Sequence, residues 1–435
     1  MRNIRIGMIG CGVVGQGIMR LLKENAASIE GRLGGTIEVK RIVARSKGKD
    51  RGPFVPTSLV SYDANDVLND PNIDIVVEVI GGVEPAYSYL KKALESGKSV
   101  VTANKALLAA RGHELIELAE SRGADLYFEA AVAGGVPVIR VLREAFASDR
   151  ITAVRGIING TSNYILSRMQ EAGIDFGPAL REAQDKGYAE ADPTLDVGGG
   201  DAAHKLTILA TLAYGAKLEL SQVAQSGIDQ VKAIDIAFAE RFGFVIKPLA
   251  VARALDNGAL DLRVHPALVS KKSVLASVNG ALNAVYIEGA AVGPCLLSGL
   301  GAGAMPTAVS VVSDIVDVGR NMLSEAAGRV PQRAFHGDNV KVLRVQDIAD
   351  HHCRYYLRFS VLDRSGVLGK IASSLGTHDV SIEQMVQEGQ HGREPVSIVV
   401  LTHPAREGNV RAALAEIDHM DIVSEPTCAL RIEDT

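Results

Sequence analysis

The sequence predicts an α/β protein that begins with a parallel sheet and ends with a smaller α+β module. Three observations support this fold class. Strand-like apolar segments alternate with helical patterns from residue 4 to about residue 131, a glycine-rich turn joins the first strand to the first helix, and a βαββαβ succession ends the chain. The length of 435 residues is enough for about three domains.

The composition excludes several classes of protein. The chain has 46 Lys and Arg against 51 Asp and Glu, a formal net charge of −5, so it offers no strong basic field to nucleic acid or to an anionic membrane. No apolar run approaches the roughly 20 residues that span a bilayer, and the N-terminal residues have no apolar stretch long enough for a signal peptide. The cysteines are scattered and suit a reducing compartment. They are Cys11, Cys295, Cys353 and Cys428. We therefore expect a cytoplasmic protein.

The first strand, residues 4–9, meets the turn GCGVVG at residues 10–15 and then a helical pattern. In such a strand–turn–helix unit, Gly10 permits the tight turn, Gly12 lets the backbone approach a pyrophosphate, and Gly15 lets helix and strand pack closely. The helix N-terminus supplies amide donors for the phosphates. The predicted cofactor contacts are Gly10, Gly12, Val13, Val14 and Gly15. The alternative is a tight turn that binds nothing.

The alternation of strands and helices continues to about residue 131. Further strands are predicted at residues 36–44, 73–82, 98–105 and 124–131, with helices at 85–97 and 105–122. Near-continuous apolar strands separated by helices are typical of a parallel sheet covered on both faces. We therefore predict a Rossmann-type dinucleotide-binding domain at residues 1–133, completed by residues 305–330.

The residues that follow the second strand indicate which dinucleotide fits. A site for NAD usually has an acidic residue there for the ribose 2′-hydroxyl, whereas this chain has Arg45, Ser46 and Lys47. Arginine and lysine pair with a 2′-phosphate. The sequence therefore favours NADP(H) over NAD(H), with a solvated basic loop as the alternative.

A cluster of acidic residues precedes a helical pattern at residues 185–206. It contains Glu190, Asp192, Asp196 and Asp201, and Lys205 follows four residues after Asp201. One interpretation is that the acids bind an ammonium-bearing substrate while Lys205 exchanges a proton with its oxygen. The other is a set of helix caps and a surface ion pair contributing about 0.3–0.5 kcal/mol. The residues alone leave both open.

Six segments together resemble homoserine dehydrogenase, in its monofunctional form. They are GCGVVG at 10–15, TANK at 102–105, FEAAVAGGVPVI at 128–139, NGTSNYIL at 159–166, GYAEADPTLDVGGGDAAHKL at 187–206 and GLGAGAMPT at 299–307. The resemblance implies NAD(P)-dependent interconversion of L-homoserine and L-aspartate 4-semialdehyde, in the biosynthesis of threonine, methionine and isoleucine. It also implies a substrate-binding, catalytic and dimerisation domain of α+β type at residues 134–304.

The resemblance gives roles to individual residues. Lys205 matches the family's catalytic lysine, which donates a proton to the aldehyde oxygen as hydride arrives. Glu190 and Asp201 match substrate-binding carboxylates. The resemblance implies that Thr102 and Lys105 bind the cofactor. Lys105 matches a family lysine near cofactor and substrate, with binding and proton handling as its expected roles and an exposed lysine at a helix start as the alternative. The spacing from Asp201 to Lys205 is intact, although the preceding GGG is richer in glycine than many family members.

Two further loops acquire roles from the same resemblance. FEAAVAGGV resembles the family's monovalent-cation loop, in which Glu129 and the main-chain oxygens of Val132, Gly134 and Val136 would hold sodium. The alternative is a helix cap followed by a glycine bend. In the second glycine-rich turn, Gly303 matches the residue that approaches the nicotinamide.

The C-terminal part follows a predicted linker at residues 331–352 and forms a module at residues 353–435. Strands are predicted at 354–363, 380–389, 395–403 and 421–434, with helices within 364–379 and at 406–420. This order is that of a ferredoxin-like unit. Its first half resembles the ACT domain, a module that senses small ligands.

The resemblance of this module implies an amino-acid effector, L-threonine in this family. The predicted effector contacts are Asp363, Ser365, Gly366 and Val367, where backbone amides near Gly366 would meet a carboxylate. The alternative is a dimerisation module without a working pocket. Exposed sheet edges make pairing with a second copy plausible, so we expect a homodimer or a homotetramer.

Two other functions compete with this interpretation. An aldehyde dehydrogenase that forms an acyl phosphate needs a cysteine nucleophile. Cys11 lies inside the predicted cofactor turn, and the other three cysteines lack a convincing base motif nearby. A non-catalytic sensor of NADP and amino acids would not need Lys205, Glu190 and Asp201. The presence of these three residues therefore argues against that function.

Overall fold

A computed structural model describes residues 3–388 and 395–433 of the chain. The strands are β1 (Asn3–Ile9), β2 (Thr36–Val43), β3 (Val60–Ser61), β4 (Ile75–Glu78), β5 (Ser99–Thr102), β6 (Leu126–Tyr127), β7 (Ile151–Ile157), β8 (Ala224–Gln225), β9 (Phe244–Ala254), β10 (Leu260–Ser270), β11 (Leu282–Gly289), β12 (Gly293–Leu300), β13 (His352–Val361), β14 (Ile382–Glu388), β15 (Val396–Thr402), β16 (Ala405–Arg406) and β17 (Val423–Glu433). The α-helices are α1 (Val13–Glu24), α2 (Ala26–Leu33), α3 (Asn65–Leu68), α4 (Ala86–Glu95), α5 (Lys105–Arg122), α6 (Val138–Arg140), α7 (Gly160–Ala172), α8 (Phe176–Asp185), α9 (Thr194–Val197), α10 (Gly200–Tyr214), α11 (Ala233–Arg241), α12 (Ala304–Leu323), α13 (Val367–Thr377) and α14 (Glu407–Asp418).

The chain divides into two compact units. The first contains Met1–Ile158, Asp201–Val223 and Leu282–Leu343, and the second contains Asn159–Gly200, Ala224–Ala281 and Arg344–Thr435. Each unit combines segments that are distant in sequence. The domain boundaries given by the sequence patterns stay a prediction beside this division.

The first unit contains the predicted Rossmann-type sheet. Its strand order is β3-β2-β1-β4-β5-β6, and every neighbouring pair is parallel. The order reverses direction between β1 and β4, which places a ligand crevice at the carboxyl ends of these two strands. Apolar side chains of β1, β4 and β5 fill the core below this edge, among them the buried Ile6, Met8, Ile75, Val77 and Val101.

Several strands of this sheet are shorter than their apolar patterns. The pattern at residues 73–82 gives a strand only at Ile75–Glu78, because Gly81 and Gly82 both adopt positive φ and turn the chain. The pattern at 124–131 gives Leu126–Tyr127, followed by a short 3₁₀ turn at Glu129–Ala131. The two-residue strand β3 was not predicted from the sequence.

Two further helices and three antiparallel strands also belong to the first unit. Strands β12, β11 and β7 pair antiparallel in that order. Helix α12 packs closely on α1, since a Cβ atom added to Gly17 would lie 2.7 Å from the carbonyl oxygen of Ala304. Helix α10 begins at Gly200, has the acidic-cluster residue Asp201 in its first turn and carries Lys205 one turn later.

The second unit contains the predicted ferredoxin-like module. Strands β13, β14, β15 and β17 and helices α13 and α14 follow the βαββαβ order, and neighbouring strands pair antiparallel as β17-β13-β15-β14. Strand β17 also pairs in parallel with β10, which is antiparallel to β9. The module is therefore continuous with a sheet formed by residues far upstream. Residues 389 and 434 of the predicted strands lie outside the described residues.

Across residues 3–388 and 395–433, none of the helices combines the length and the apolar character that a membrane crossing requires.

Candidate active site

The glycine turn places a helix N-terminus at the carboxyl edge of the parallel sheet. Gly10 has φ +113°, and a Cβ atom there would lie 2.8 Å from the carbonyl carbon of Val79. A Cβ atom on Gly15 would lie 2.6 Å from the carbonyl oxygen of Gly10, whereas one on Gly12 would meet nothing within 4 Å. Helix α1 begins at Val13, and no side chain caps its first amides. Amide donors that face open space suit an anionic group such as a pyrophosphate.

The second glycine-rich turn lies beside this helix within the first unit. Gly303 is the N-cap of α12 and has φ +120°, a conformation that favours glycine. The next residue, Ala304, is the one whose carbonyl oxygen approaches Gly17 of α1. Gly303 is therefore held close to the predicted cofactor helix.

The basic loop after β2 contains both exposed and buried cations. Arg45 and Lys47 are exposed, and Lys47 Nζ lies 5.4 Å from the centre of the Tyr62 ring. Arg51 is 9% exposed and donates to the carbonyl oxygens of Lys49 and Ser46. Arg51 therefore organises the loop from inside, while Arg45 and Lys47 stay accessible to a ligand.

A buried carboxylate lies between two lysines in the first unit. Asp201 and Lys205 are four residues apart on α10, so their side chains share one face of the helix. Lys205 Nζ lies 2.7 Å from Asp201 Oδ2 and donates to the Ile158 carbonyl oxygen, also at 2.7 Å. Lys105, the first residue of α5, places its Nζ 2.6 Å from Asp201 Oδ1. The structure thus brings together three of the predicted site residues.

Burial and charge set the properties of this group. Asp201 is 2% exposed and Lys205 is 8% exposed, which excludes the alternative of a surface ion pair. Burial alone raises the pKa of a carboxyl group, but Lys205 and Lys105 outweigh it and hold the pKa of Asp201 well below its usual range. Burial also lowers the pKa of His204, the neighbour of Lys205 on α10. The site therefore holds a firmly ionised carboxylate beside a neutral imidazole.

The approach of Lys105 depends on the start of α5. The side chain of Asn104 accepts a hydrogen bond from the Leu107 amide and caps the helix. The Lys105 side chain remains 37% exposed, while its ammonium group contacts the buried Asp201. Lys105 is therefore not simply an exposed lysine at a helix start. Sequence reasoning missed Asn104, which the helix signal after β5 could have identified as a cap.

Glu190 lies in the second unit, on the loop between α8 and α9. The side chain is exposed, and the Glu190 carbonyl oxygen accepts from Gln184 Nε2 at 3.1 Å. In helix α9, which follows this loop, Asp196 Oδ1 accepts from Nδ2 of Asn159, the N-cap of α7, at 2.7 Å. The role of Glu190 in substrate binding stays a prediction.

Glu129, the predicted cation ligand, is buried and caps a short helix. Its two carboxylate oxygens accept the amides of Ile139 and Arg140, each at 2.8 Å. Its own amide donates to Asp314 Oδ2 at 2.8 Å, and burial raises the pKa of both acids. The cap given as the alternative for this loop is therefore present. Sequence reasoning missed Asp314, an acid within the apolar helical pattern of α12.

The carbonyl oxygens of the same loop also accept internal hydrogen bonds. The Gly134 oxygen accepts from the Ser310 hydroxyl at 2.6 Å, and the Val136 oxygen accepts from the Val138 amide at 2.8 Å. Gly134 has φ +45°, the expected glycine bend. The ligand atoms predicted on Val132, Gly134 and Val136 are all carbonyl oxygens. Each carbonyl oxygen has two lone pairs, so accepting one hydrogen bond leaves a lone pair for a cation. The donor chemistry fits a hard monovalent cation.

Three of the four cysteines are electrostatically unsuited to be nucleophiles. Burial raises the pKa of Cys11, partly offset by Arg51, and raises the pKa of Cys353 to about 12. Burial raises the pKa of Cys428 as well. Because the thiolate is the reactive form, these thiols do not support the acyl-phosphate alternative.

The predicted effector residues surround the start of α13. Gly366 is the N-cap with φ +88°, Ser365 and Gly366 are exposed, Asp363 is half-buried, and Val367 is buried. No side chain caps this helix, so its first amides can donate hydrogen bonds to a bound carboxylate. The effector role of these residues stays a prediction.

A Rossmann-type sheet with a glycine turn, together with a lysine–carboxylate–lysine group at its edge, defines a dinucleotide-dependent oxidoreductase. Three family profiles match: "Homoserine dehydrogenase, NAD binding domain" at residues 10–129, "Homoserine dehydrogenase" at 137–316 and "ACT domain" at 355–419. Homoserine dehydrogenase of Neisseria gonorrhoeae is 42% identical over 433 residues, covering 100% of this chain and 99% of that protein.

Solved structures agree with these matches. A homoserine dehydrogenase from Thiobacillus denitrificans has a TM-score of 0.94 and 44% identity, covering 100% of this chain and 99% of that one. A hyperthermophilic archaeal homoserine dehydrogenase in complex with NADPH has a TM-score of 0.62 and 27% identity, covering 73% of this chain and 98% of that one. The chain belongs to the homoserine dehydrogenase family. It is an oxidoreductase that acts on a hydroxyl group.

Proposed function

We propose that this chain interconverts L-aspartate 4-semialdehyde and L-homoserine with NADP(H), and that Lys205 is the proton donor in the reducing direction. The observation that carries this assignment is the buried group of Lys105, Asp201 and Lys205. It places two cations around one ionised carboxylate on helices of the dinucleotide-binding unit.

In the reducing direction, a bound reduced nicotinamide supplies the hydride to the aldehyde carbon. The Lys205 ammonium group polarises the carbonyl oxygen and then transfers a proton to it, which completes the alcohol. Asp201 holds Lys205 and Lys105 in place, because its two oxygens contact one ammonium group each. Glu190 binds the substrate amino group through its negative charge.

The test is reduction of L-aspartate 4-semialdehyde, followed by NADPH absorbance. We expect Lys205→Ala to lower kcat by about 100-fold or more, the range of general acid catalysis, with little change in the Kd for NADPH. Lys98→Ala is the matched control, because Lys98 is also buried and also donates two hydrogen bonds, in its case to the carbonyl oxygens of Asp70 and Ile73. A Lys205→Ala protein with wild-type kcat contradicts the assignment.

NADP(H) is proposed over NAD(H) because of the loop after β2. Arg45 and Lys47 are exposed beyond the end of that strand, where a 2′-phosphate of a bound dinucleotide is expected. The related archaeal enzyme is described in complex with NADPH.

We propose sodium as the occupant of the Glu129 loop. Glu129 and the carbonyl oxygens of Val132, Gly134 and Val136 would hold it, and its role would be to fix the loop that adjoins α12. Sodium chloride should raise the Tm above that in N-methylglucamine chloride of equal ionic strength, because binding to the folded state stabilises it. Glu129→Gln should abolish this difference. An equal Tm in both salts for the wild-type protein contradicts the site.

L-Threonine is the proposed effector of the C-terminal module, bound near Ser365 and Gly366. The support is the uncapped start of α13 and the ACT profile that covers it. Calorimetric titration of the full-length protein should show threonine binding that Gly366→Val weakens, because a β-branched residue is strained at φ +88° and obstructs the amides. Wild-type protein that binds no threonine contradicts this effector.

A homo-oligomer is proposed on the basis of strand β12. Among the described residues this strand pairs only with β11, and its outward side chains include Leu296 and Leu300, which are 39% and 56% exposed. An apolar edge strand is a surface for self-association. Leu296→Lys should shift the sedimenting species toward the monomer, and an unchanged sedimentation coefficient contradicts this surface.

A further inference from the structure

Glu78 is a fully buried carboxylate that the chemistry above does not use. It is the last residue of β4 and is 0% exposed. Its Oε1 accepts the amides of Ile80 at 2.7 Å and Gly81 at 3.1 Å, and its Oε2 accepts the Thr102 hydroxyl at 2.6 Å. Three donors converge on a group that can only accept when ionised. The carboxylate therefore connects the turn after β4 to the end of β5.

The connection continues from Thr102 to the start of α5. Thr102 is paired with Glu78 in the parallel sheet, and its Oγ1 accepts the Asn104 amide at 3.1 Å. Asn104 Nδ2 donates to the Gly82 carbonyl oxygen at 2.6 Å, and its Oδ1 caps α5 through the Leu107 amide. Both turns are thus fixed to each other immediately before Lys105.

The same turn supports the cofactor side. The atoms that a Cβ on Gly10 would contact belong to Val79 and Ile80, the two residues that follow Glu78. Glu78 therefore lies between the backbone of the glycine turn and the helix that begins with Lys105. A buried side chain in this position fixes the spacing between the two.

We propose that Glu78 is a positioning residue for the reaction: through Thr102 and Asn104 it fixes the start of α5, and hence the approach of Lys105 to Asp201. It acts at the carboxyl edge of the sheet without touching the substrate. This inference rests on the role proposed above for the Lys105–Asp201–Lys205 group. A misplacement of catalytic groups by an ångström is enough to slow turnover while leaving binding largely intact.

Glu78→Gln tests the connection with little change in volume. The glutamine oxygen still accepts the turn amides, but its NH₂ group then faces Thr102, whose hydroxyl proton loses its acceptor. Thr102→Val removes the same link from the other side, and Thr102→Ser retains the hydroxyl. Asp125→Asn is the matched control, because Asp125 is also 0% exposed and accepts from Asn321 and the Gly328 amide in the same unit.

We expect Glu78→Gln and Thr102→Val each to lower kcat about tenfold, with KM for NADPH within about twofold of wild type. Thr102→Ser should restore most of kcat. The double variant Glu78→Gln/Thr102→Val should be no slower than Thr102→Val alone, because both changes interrupt one chain of hydrogen bonds. Asp125→Asn should lower the urea midpoint and leave kcat unchanged. Wild-type kcat in Glu78→Gln or Thr102→Val, or multiplied losses in the double variant, overturns the proposal.

Two further measurements separate this inference from the proposed function. Amide hydrogen exchange over residues 103–108 should accelerate in Glu78→Gln and not in Asp125→Asn, and unchanged exchange overturns the link to α5. Lys105→Ala should lower kcat at least as much as Glu78→Gln. If Lys105→Ala retains the wild-type kcat while exchange in Glu78→Gln accelerates, the role of Lys105 is wrong and the link itself stands.

Discussion

Arg263 of β10 and Glu433 of β17 form a buried ion pair, with 2.8 Å between Nη2 and Oε1 and side chains only 3% and 9% exposed. Arg263 Nη1 also donates to Asp261 Oδ2 at 2.7 Å. Burial favours the neutral acid, yet Arg263 holds the pKa of Glu433 well below its usual range. Because β17 also pairs with β10, through Arg431–Glu433 and Ala267–Val269, the C-terminal module is anchored to the rest of the second unit by both backbone and charge.

Glu433→Gln should therefore destabilise the second unit markedly. The change leaves the buried Arg263 with a single carboxylate partner, and removing one member of a buried pair typically costs about 3 kcal/mol. Urea unfolding at neutral pH, followed by circular dichroism, measures the loss. The Arg406–Asp350 pair provides the control, because its side chains are 44% and 58% exposed. Asp350→Asn should cost less than about 1 kcal/mol. Equal losses in the two variants would show that the Arg263–Glu433 pair contributes nothing through its burial.

A histidine beside this pair should make the second unit sensitive to acid. Burial, with Arg263 as the next cause, lowers the pKa of His351 to about 3, while Glu433 opposes this shift. His351 Nδ1 lies 3.6 Å from Asp261 Oδ2, and the buried His265 lies in the same cluster. In the unfolded chain, His351 binds a proton below about pH 6.5, so the unfolded state binds more protons than the folded state between pH 6.5 and pH 3.

The stability linked to His351 is thus fully present above pH 6.5 and is lost as the pH falls toward 3. From pH 7 to pH 5 the expected loss is about 2 kcal/mol. His351→Gln removes this titration and should flatten the dependence of the unfolding free energy on pH over that range. The exposed His419 supplies the control, since His419→Gln should leave the slope unchanged. A wild-type slope in His351→Gln contradicts the prediction.

The order of elements was predictable because local patterns determined it. Alternating apolar segments and a glycine turn located the parallel sheet, and the predicted helix at 105–122 matches Lys105–Arg122. Tertiary pairing was not predictable in the same way. The contact between Ala267–Val269 and Arg431–Glu433 joins strands more than 160 residues apart, and no local pattern specifies which sheet edge a strand joins.

The candidate site shows the same division. The spacing of Asp201 and Lys205 indicated that they share a helix face, but only burial distinguishes a reactive pair from a surface one. The Ile158 carbonyl oxygen that accepts a hydrogen bond from Lys205 is a backbone atom, so the residue type at that position does not indicate the contact. Glu78 and Asp314 were missed because a single buried acid within an apolar segment has no distinguishing spacing.

Asp201→Asn should affect turnover and stability together. The change removes the charge that holds Lys105 and Lys205, so we expect kcat to fall at least about 100-fold with NADPH affinity retained. The pKa of Asp201 is lowered in the folded state, so its contribution to stability is present above the unfolded pKa of about 3.9 and is lost as the pH falls below it. The difference in unfolding free energy between wild type and Asp201→Asn, measured with urea, should therefore be fully present at pH 7 and decrease below pH 4.

Asp192→Asn is the control for Asp201→Asn, because Asp192 is an exposed acid whose contacts are with Thr194. Its effect on kcat should be small. An Asp201→Asn protein that keeps wild-type kcat contradicts the assignment of Asp201 as the residue that holds both lysines.

Arg45 and Lys47 should determine the preference between the two dinucleotides. Both side chains are exposed after β2. Replacing them removes a charge-assisted hydrogen bond to the 2′-phosphate, which NADP carries and NAD lacks, so only NADP binding should weaken. The double variant Arg45→Gln/Lys47→Gln should raise KM for NADP by at least about tenfold and leave KM for NAD within about twofold. Lys91→Gln/Arg122→Gln removes two exposed cations from the same unit and therefore controls for net charge. Raising the salt concentration should reduce the preference of the wild-type protein for NADP over NAD, because salt screens the exposed charges. If the ratio of the two KM values matches that of the control, the loop does not recognise the 2′-phosphate.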